Sequence, residues 1–190
     1  MAKPPAETEK PIVLAMPAPG GALPPEPPIV YLFGLAGAGK NWVGELLQRH
    51  FGYFFYDADK EATPAMRQAI AGGAHFSETM RDEFMEVVAG RISELRELHP
   101  KLAVAQATYK ERHRQRLREL FPKAMFLWVR ATQTLLVERL QKRKDWLAPN
   151  YASQIAANFE KPDDSCLVLE NDAGEEEAVE RLRRIFNNDS

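Results

Sequence analysis

The stretch that decides the fold is Ile29-Val30-Tyr31-Leu32-Phe33-Gly34-Leu35-Ala36-Gly37-Ala38-Gly39-Lys40-Asn41, followed directly by Trp42-Val43-Gly44-Glu45-Leu46-Leu47. Five apolar strand formers lead into the pattern Gly-x-x-x-x-Gly-Lys, and Val43, Leu46 and Leu47 then recur at helical spacing. The sequence therefore predicts a strand, a glycine-rich loop and a helix, in that order.

We interpret the glycine-rich segment as a loop that binds phosphate. Glycines let successive backbone N–H groups turn inward without a Cβ in the way, and the following helix adds the positive end of its dipole. Lys40 can then reach the β- and γ-phosphates of a nucleotide. The alternative is a glycine-rich turn without a ligand. The candidate nucleotide-binding residues of the loop are Gly34, Leu35, Ala36, Gly37, Ala38, Gly39, Lys40 and Asn41.

Position 41 departs from the common form of this motif. A Ser or Thr hydroxyl usually contacts Mg²⁺ there, whereas this chain has Asn41. An amide oxygen is also a hard ligand for such a cation. We therefore expect Asn41 to contribute to a metal site, either more weakly than a hydroxyl or with the help of another residue.

The composition limits the classes of protein to which the chain can belong. Its 190 residues, of which 45% are hydrophobic, can build one core. The net charge of −2 does not indicate a general binder of nucleic acid or of membrane surfaces. The single cysteine, Cys166, fits a reducing compartment, and no apolar stretch reaches the ~20 residues of a membrane span. We expect a cytoplasmic protein, either a monomer or a homodimer.

The first 28 residues predict a disordered tail. Their prolines remove backbone donors and disfavour both helices and sheet ladders. We therefore place the folded domain at residues 29–190. The prolines of the tail are Pro4, Pro5, Pro11, Pro17, Pro19, Pro24, Pro25, Pro27 and Pro28.

Strand and helix patterns alternate along the rest of the chain, which predicts an α/β fold with a parallel sheet. Further strands are expected at residues 53–56, 102–105, 125–129 and 166–169. Helices are expected at residues 41–50, 63–71, 77–98, 111–120, around 135–144, 151–159 and 175–186.

Two carboxylates follow the second predicted strand. Because ligands of parallel sheets gather at the carboxyl ends of strands, Asp57 and Asp59 should lie near the phosphates. We expect Asp57 to hold Mg²⁺, and Asp59 to accept the proton of an acceptor hydroxyl. If the strand continued, Asp59 would point the same way as Asp57. The alternative is a solvated turn without a catalytic role.

Basic residues follow two later strands. Lys110 and Arg114 lie at the start of the helix after the third strand, within reach of an anionic site. Arg139 and Arg143 lie near the end of the helix after the fourth strand. We expect Arg143 to belong to a closing lid that stabilises transition-state charge, and Arg139 to contact the nucleotide. The alternative for this pair is a solvated helix end that interacts with its own dipole.

The chain resembles the gluconate kinase and shikimate kinase branch of the small-molecule P-loop kinases. Asp57-Ala58-Asp59 is similar to the Asp-Gly-Asp of the gluconate kinase pattern, and Gly73 with Arg81 matches its later Gly and Arg. The run Lys-Glu-Arg-His-Arg-Gln-Arg-Leu-Arg at 110–118 resembles another segment of that pattern. So does Glu-Arg-Leu-Gln-Lys-Arg at 138–143.

The resemblance implies a fold and a function. The fold would be a three-layer α/β/α P-loop NTPase with a five-stranded parallel sheet in the order 2-3-1-4-5 and a small lid. The function would be transfer of the γ-phosphate of ATP, with Mg²⁺, to a hydroxyl of a small carboxylated polyol. By the same resemblance, Arg81, Lys110 and Arg114 would grip the carboxylate of that substrate, and Arg143 would be the lid arginine.

Two other functions stay open at this point. Asn41 favours a nucleotide-binding protein that has lost turnover and acts as a sensor or partner-binding module. A nucleoside or nucleotide kinase is a further alternative, and it would not need an arginine that grips a carboxylate.

Overall fold

A computed structural model describes residues 26–72, 76–142, 156–163 and 166–188. These ranges hold five strands, six α-helices and one 3₁₀ helix with assigned bounds, and residues 156–157 are also helical. The strands are β1 Ile29–Phe33, β2 Phe54–Asp57, β3 Leu102–Ala105, β4 Ala124–Arg130 and β5 Leu167–Glu170. The α-helices are α1 Lys40–Phe51, α2 Pro64–Ala71, α3 Glu78–Leu98, α4 Glu111–Leu120, α5 Gln133–Lys142 and α6 Glu175–Asn188, and the 3₁₀ helix is Ala58–Glu61.

The five strands form one parallel sheet in the order β2-β3-β1-β4-β5. This confirms the predicted strand order. β1 lies at the centre, with Ile29 paired to Leu102 of β3 on one side and to Ala124 of β4 on the other. The loop after β1 therefore opens at the middle of the carboxyl edge, where the strand order reverses direction.

Each face of the sheet has its own apolar core. Successive side chains of a strand point to opposite faces, so Tyr31 and Phe33 pack with α3 and α4, while Val30 and Leu32 pack with α1 and α6. Helices cover both faces, which is the predicted three-layer arrangement. We call the two sides the α3/α4 face and the α1/α6 face.

The longest described helix, α3, has 21 residues and is amphipathic. Its buried stripe includes Phe84, Val88, Ile92 and Leu95, which recur at helical spacing against the sheet. Charged side chains occupy most of its other face. None of the helices in the described ranges is long and apolar enough to cross a membrane.

The second strand begins one residue later than predicted. Tyr53 belongs to the end of α1, since the backbone N–H groups of Gly52 and Tyr53 both donate to the carbonyl of Leu47. Gly52 has a φ of 72°, the left-handed conformation typical of a helix end. The hydrogen-bonding needs of the helix end therefore take Tyr53 away from the strand.

The last residues of the predicted tail contact the domain. The Tyr53 hydroxyl donates to the carbonyl of Pro27 at 2.7 Å, and the Leu102 N–H donates to the carbonyl of Pro28 at 2.9 Å. Glu26 forms an ion pair with Lys101. The prediction of a disordered tail otherwise concerns residues 1–25, which lie outside the described ranges.

Candidate phosphate-binding and acceptor site

The loop between β1 and α1 needs glycine at two positions for steric reasons. Gly34 has a φ of 142°, and a Cβ there would lie 2.3 Å from the carbonyl oxygen of Val129. Gly39 has a φ of 90°, and a Cβ there would lie 2.1 Å from Nδ2 of Asn171. The loop therefore keeps its path only because these positions lack side chains.

Lys40 begins α1, and its side chain folds back over the loop. Its Nζ donates to the carbonyl oxygens of Gly34 and Leu35, each at 3.1 Å, and the residue is only 7% exposed. The ammonium group is thus held at the loop by the loop's own backbone. Its predicted contact with nucleotide phosphates stays a prediction.

Two side chains support the loop from outside. Arg139 donates through Nη1 to the carbonyls of Gly37 and Ala38, both at 3.4 Å, and through Nη2 to the carbonyl of Asn171 at 3.0 Å. Asn171 donates from Nδ2 to the carbonyl of Ala38 at 2.8 Å and is 1% exposed. The carbonyls of Gly37 and Ala38 are therefore held by side chains that lie outside the loop sequence.

Sequence reasoning did not find Asn171. It follows directly after β5, and its N–H donates to the carbonyl of Arg130 on the neighbouring strand at 2.7 Å. The available signal was a polar residue at the carboxyl end of a buried strand, the same signal that identified Asp57. Arg139 was predicted as a nucleotide ligand. The structure places it against the loop, and direct contact with a nucleotide stays a prediction.

The two predicted metal ligands are adjacent. Nδ2 of Asn41 donates to Oδ2 of Asp57 at 2.9 Å. The other carboxylate oxygen of Asp57 accepts the N–H of Asp59 at 3.2 Å. The hydrogen bond between Asn41 and Asp57 joins the start of α1 to the end of β2, which brings the two groups together at the edge of the loop.

Asp59 does not continue the strand as Asp57 does. β2 ends at Asp57, whose carboxylate caps the 3₁₀ helix that contains Asp59. The two carboxylates were expected to point the same way only if the strand continued to Asp59, and it does not. The charge of Asp59 adds to burial in raising the pKa of Tyr31, a residue of the α3/α4 face. Asp57, in contrast, bonds to Asn41 of α1.

Arg81 lies on α3 with its guanidinium over the ring of Tyr109, at 5.1 Å from the ring centre. Its Nη1 donates to Glu78 at 2.8 Å, and its side chain is 15% exposed. Its Nε is buried and has no hydrogen-bond partner among the described residues. Its contact with a substrate stays a prediction.

Lys110 precedes α4 and pairs with Glu160. Its Nζ lies 2.9 Å from Oε1 of Glu160, and Oε2 of the same carboxylate accepts the N–H of Glu111 at 2.7 Å. These contacts, first the backbone N–H and then the ammonium group, lower the pKa of Glu160. A substrate that binds Lys110 would share the lysine with this carboxylate.

Arg114 has an environment that the sequence did not suggest. It is fully buried, with its guanidinium over Phe33 and Phe159. It donates to the carbonyls of Thr108 at 2.8 Å and Glu160 at 2.5 Å, and a third contact goes to the carboxylate of Glu111 at 2.7 Å. This geometry favours a structural role over the predicted contact with substrate, because the guanidinium already has partners on each of its nitrogens.

The remaining predicted site residue, Arg143, lies outside the described residues. The same holds for Gly73, for the rest of the predicted lid at 144–150, and for residues 151–155 of the helix predicted after it. Their roles stay predictions.

A glycine-rich phosphate loop between β1 and α1 of a parallel sheet in the order 2-3-1-4-5 defines the P-loop kinase class of fold. Solved structures of kinases have the same fold. A sugar kinase from Janibacter sp. matches with a TM-score of 0.73 at 18% identity, covering 85% of this chain and 95% of that one. A gluconokinase from Sinorhizobium meliloti matches with a TM-score of 0.71 at 21% identity, with the same coverages. These similarities establish the fold.

The family follows from the sequence comparison. The family model for shikimate kinase matches residues 36–171, well over half of the chain. The chain therefore belongs to the shikimate kinase family. A shikimate kinase from Rhodopseudomonas palustris is 32% identical over 118 residues, which cover 61% of this chain and 56% of that protein. The chain thus matches little more than half the length of this relative.

Proposed function

We propose that this protein transfers the γ-phosphoryl group of ATP to a hydroxyl group of a small carboxylated polyol, a sugar acid of the gluconate or shikimate type. The proposal is supported by membership of the shikimate kinase family and by the phosphate-binding loop. The Acinetobacter baumannii shikimate kinase, whose structure contains shikimate, has the same fold with a TM-score of 0.60 at 19% identity, covering 85% of this chain and 94% of that one.

The hydrogen bond between Asn41 and Asp57 carries the proposal, because its geometry supports a metal-binding role for the unusual Asn41. A carboxylate only accepts hydrogen bonds, so the Asn41 amide must turn its nitrogen toward Asp57. The amide oxygen then remains for a cation. Mg²⁺ is usually held by one or two protein oxygens together with phosphate oxygens and water, and these two residues supply that donor set.

The residues of the chain divide the chemistry among them. The loop N–H groups and Lys40 bind and orient the phosphates, and Mg²⁺ held by Asn41 and Asp57 would neutralise part of their charge. Asp59 takes the proton of the acceptor hydroxyl as that oxygen bonds to the γ-phosphorus. The bond from the γ-phosphorus to the β–γ bridging oxygen then breaks, and ADP leaves. We expect Arg143 to stabilise the charge that develops.

The acceptor would lie on the α3/α4 face. Arg81 offers a buried donor there, and Lys110 lies after the neighbouring strand end. Both suit a carboxylate. A nucleoside kinase would not need these cations, so the buried Nε of Arg81 favours the sugar acid over the nucleoside.

The second candidate is a nucleotide-binding protein without turnover. Asn41 is the observation that favours it, since an amide in place of the usual hydroxyl changes the length and geometry of a metal ligand. The two functions share ATP binding and differ in acceptor-dependent ADP release.

The test is a calorimetric titration of ATP with and without Mg²⁺, followed by an ADP-release assay against gluconate, shikimate and related sugar acids. We expect binding that tightens with Mg²⁺ and ADP release that depends on one acceptor class. In the Lys40→Ala variant ATP binding should weaken, and in Asp59→Asn ADP release should fall while ATP binding is kept. ATP binding without acceptor-dependent release supports the second candidate, and absence of ATP binding contradicts both.

A further inference from the structure

Gln106 lies at the carboxyl edge of the sheet, beside the central strand β1. It follows directly after β3, and its N–H donates to the carbonyl of Leu32 at 3.1 Å, which continues the pairing of β3 with β1 up to the phosphate-binding loop. On the other side of β3, Ala105 pairs with Asp57. Gln106 is thus next to both the loop and the predicted metal ligands.

A chain of hydrogen bonds fixes the orientation of the Gln106 side chain. The hydroxyl of Thr108 donates to Oε1 of Gln106. Because this bond uses the only hydroxyl hydrogen of Thr108, the hydroxyl of Tyr31 must donate to Thr108 Oγ1, at 2.7 Å. We call the hydrogen-bonded chain Tyr31–Thr108–Gln106 the relay. Tyr31 and Thr108 are 1% and 2% exposed, and Tyr31 belongs to the core of the α3/α4 face.

The relay binds Oε1 of the Gln106 amide and leaves its Nε2 without a hydrogen bond from the relay. Its Nε2 has no hydrogen-bond partner among the described residues and is not sealed from solvent, although the residue is only 7% exposed. Arg81 presents a second donor without a partner on the same face, over Tyr109 three residues along the chain. Two such donors at one edge of the sheet match a ligand rich in oxygen.

The proposed base acts on the first member of the same hydrogen-bonded chain. The carboxylate of Asp59 acts electrostatically on Tyr31, the first member of the relay. A hydroxyl group donates one hydrogen bond and accepts others, so a carboxylate acceptor and an amide donor together suit it. A carboxylate of the acceptor would instead be repelled by Asp59.

We propose that Gln106 is a specificity-determining residue that donates from Nε2 to a hydroxyl oxygen of the phosphoryl acceptor, and that Tyr31 and Thr108 are positioning residues which hold its amide in that orientation. This inference rests on the proposed function. It assigns the polyol part of the substrate to Gln106, while the carboxylate part is left to Arg81 and Lys110.

The test compares Gln106→Glu and Gln106→Ala with the parent protein, using gluconate and shikimate as acceptors. Gln106→Glu keeps the shape and replaces the donor by an acceptor, so KM for the acceptor should rise by roughly 30-fold or more, since a site that must bond a substrate hydroxyl discriminates strongly when the partner is lost. Gln106→Ala should raise it by about tenfold. The dissociation constant for ATP should stay unchanged in both variants.

The relay is tested by Tyr31→Phe and Thr108→Val. Each removes one hydroxyl and should raise KM for the acceptor by roughly three- to tenfold without changing ATP affinity. Tyr53→Phe is the matched control, because it also loses a tyrosine hydrogen bond, to Pro27, but outside the site. A merely structural role for the relay would lower thermal stability in these variants and leave KM unchanged.

The outcomes separate this inference from the proposed function. If the parent protein turns over and the Gln106 variants keep its acceptor KM, the inference is wrong and the proposed function stands. If Gln106→Glu lowers KM, the amide accepts rather than donates, which also overturns the inference. If the parent protein releases no ADP with any acceptor, both are overturned.

Discussion

Asn171 shows how one side chain can determine the shape of the phosphate-binding loop. Its Nδ2 binds the carbonyl of Ala38, and it lies so close to Gly39 that any Cβ there would clash. A carbonyl held on the outer side leaves the N–H groups of the loop free to face phosphates. Asn171 therefore acts on a ligand only through the loop.

We expect Asn171→Ala to weaken ATP binding about tenfold. The variant leaves the buried carbonyl of Ala38 without this donor, and such a group costs about 1–3 kcal/mol, which the loop can avoid by changing its path. Calorimetry with ATP and with tripolyphosphate measures the effect, and both ligands should lose affinity alike because the loop binds phosphate rather than base.

The matched control is Gln141→Ala, which removes an exposed amide from α5. It should bind both ligands as the parent does. Equal affinity of the Asn171→Ala and parent proteins for tripolyphosphate would show that the loop does not depend on Asn171.

At the scale of elements, α1 packs closely on β2 because residue 44 is glycine. A Cβ at Gly44 would lie 2.2 Å and 2.3 Å from two ring carbons of Phe55. Gly90, in the middle of α3, has nothing within 4 Å of the same position. The two glycines lie inside helices, so the same substitution tests packing at one and helix propensity at the other.

We expect opposite signs for the two alanine variants. Gly90→Ala should raise the free energy of unfolding by roughly 0.5–1 kcal/mol, the gain from helix propensity. Gly44→Ala should lower it, because the overpacking cost of about 1–3 kcal/mol exceeds that gain. Urea unfolding measures both. A stabilised Gly44→Ala variant would mean that Phe55 moves aside at little cost.

At the scale of the whole molecule, Glu160 joins parts of the chain that are far apart in sequence. Its carboxylate binds Lys110 and the N–H of Glu111 at the start of α4, and its carbonyl accepts from Arg114. Its N–H donates to the carbonyl of Tyr109. These contacts attach residues 156–163 to α4 and to the acceptor side of the sheet.

This attachment should depend on pH. The pKa of Glu160 is lowered below its ordinary value of 4.5 by the hydrogen bonds that its carboxylate accepts, first from the backbone N–H of Glu111 and then from the ammonium group of Lys110. A group with a lowered folded-state pKa stabilises the fold above its unfolded pKa, and this stability is lost as the pH falls through the folded value. The contribution of Glu160 should therefore be complete at neutral pH and decline below about pH 4.5.

We expect Glu160→Gln to lower the free energy of unfolding at about pH 7 and to differ less from the parent at about pH 3. Urea unfolding at both pH values measures the difference. Glu97→Gln, an exposed glutamate of α3, is the control and should follow the parent at both. A constant difference between Glu160→Gln and the parent would mean that the ionisation of Glu160 does not contribute.

The strand, loop and helix around Lys40 could be predicted from the sequence alone, because they depend on neighbours in the chain. Glycine at left-handed positions, lysine after the last glycine and apolar residues at regular spacing are local properties. Asp57 was found in the same way, as a polar residue at a strand end. The strand order came from resemblance to a family, since local pattern does not specify which strands are neighbours.

The tertiary structure decided which distant groups meet. The bond from Asn171 to Ala38 spans 133 residues, and the bond from Tyr31 to Thr108 spans 77. Both depend on the register of parallel strands, which brings the carboxyl ends of β1, β3 and β5 to one edge. The burial of Arg114 also depends on packing between elements. The sequence by itself therefore determined the phosphate-binding loop, and only the packed sheet determined what braces it and what lies beside it.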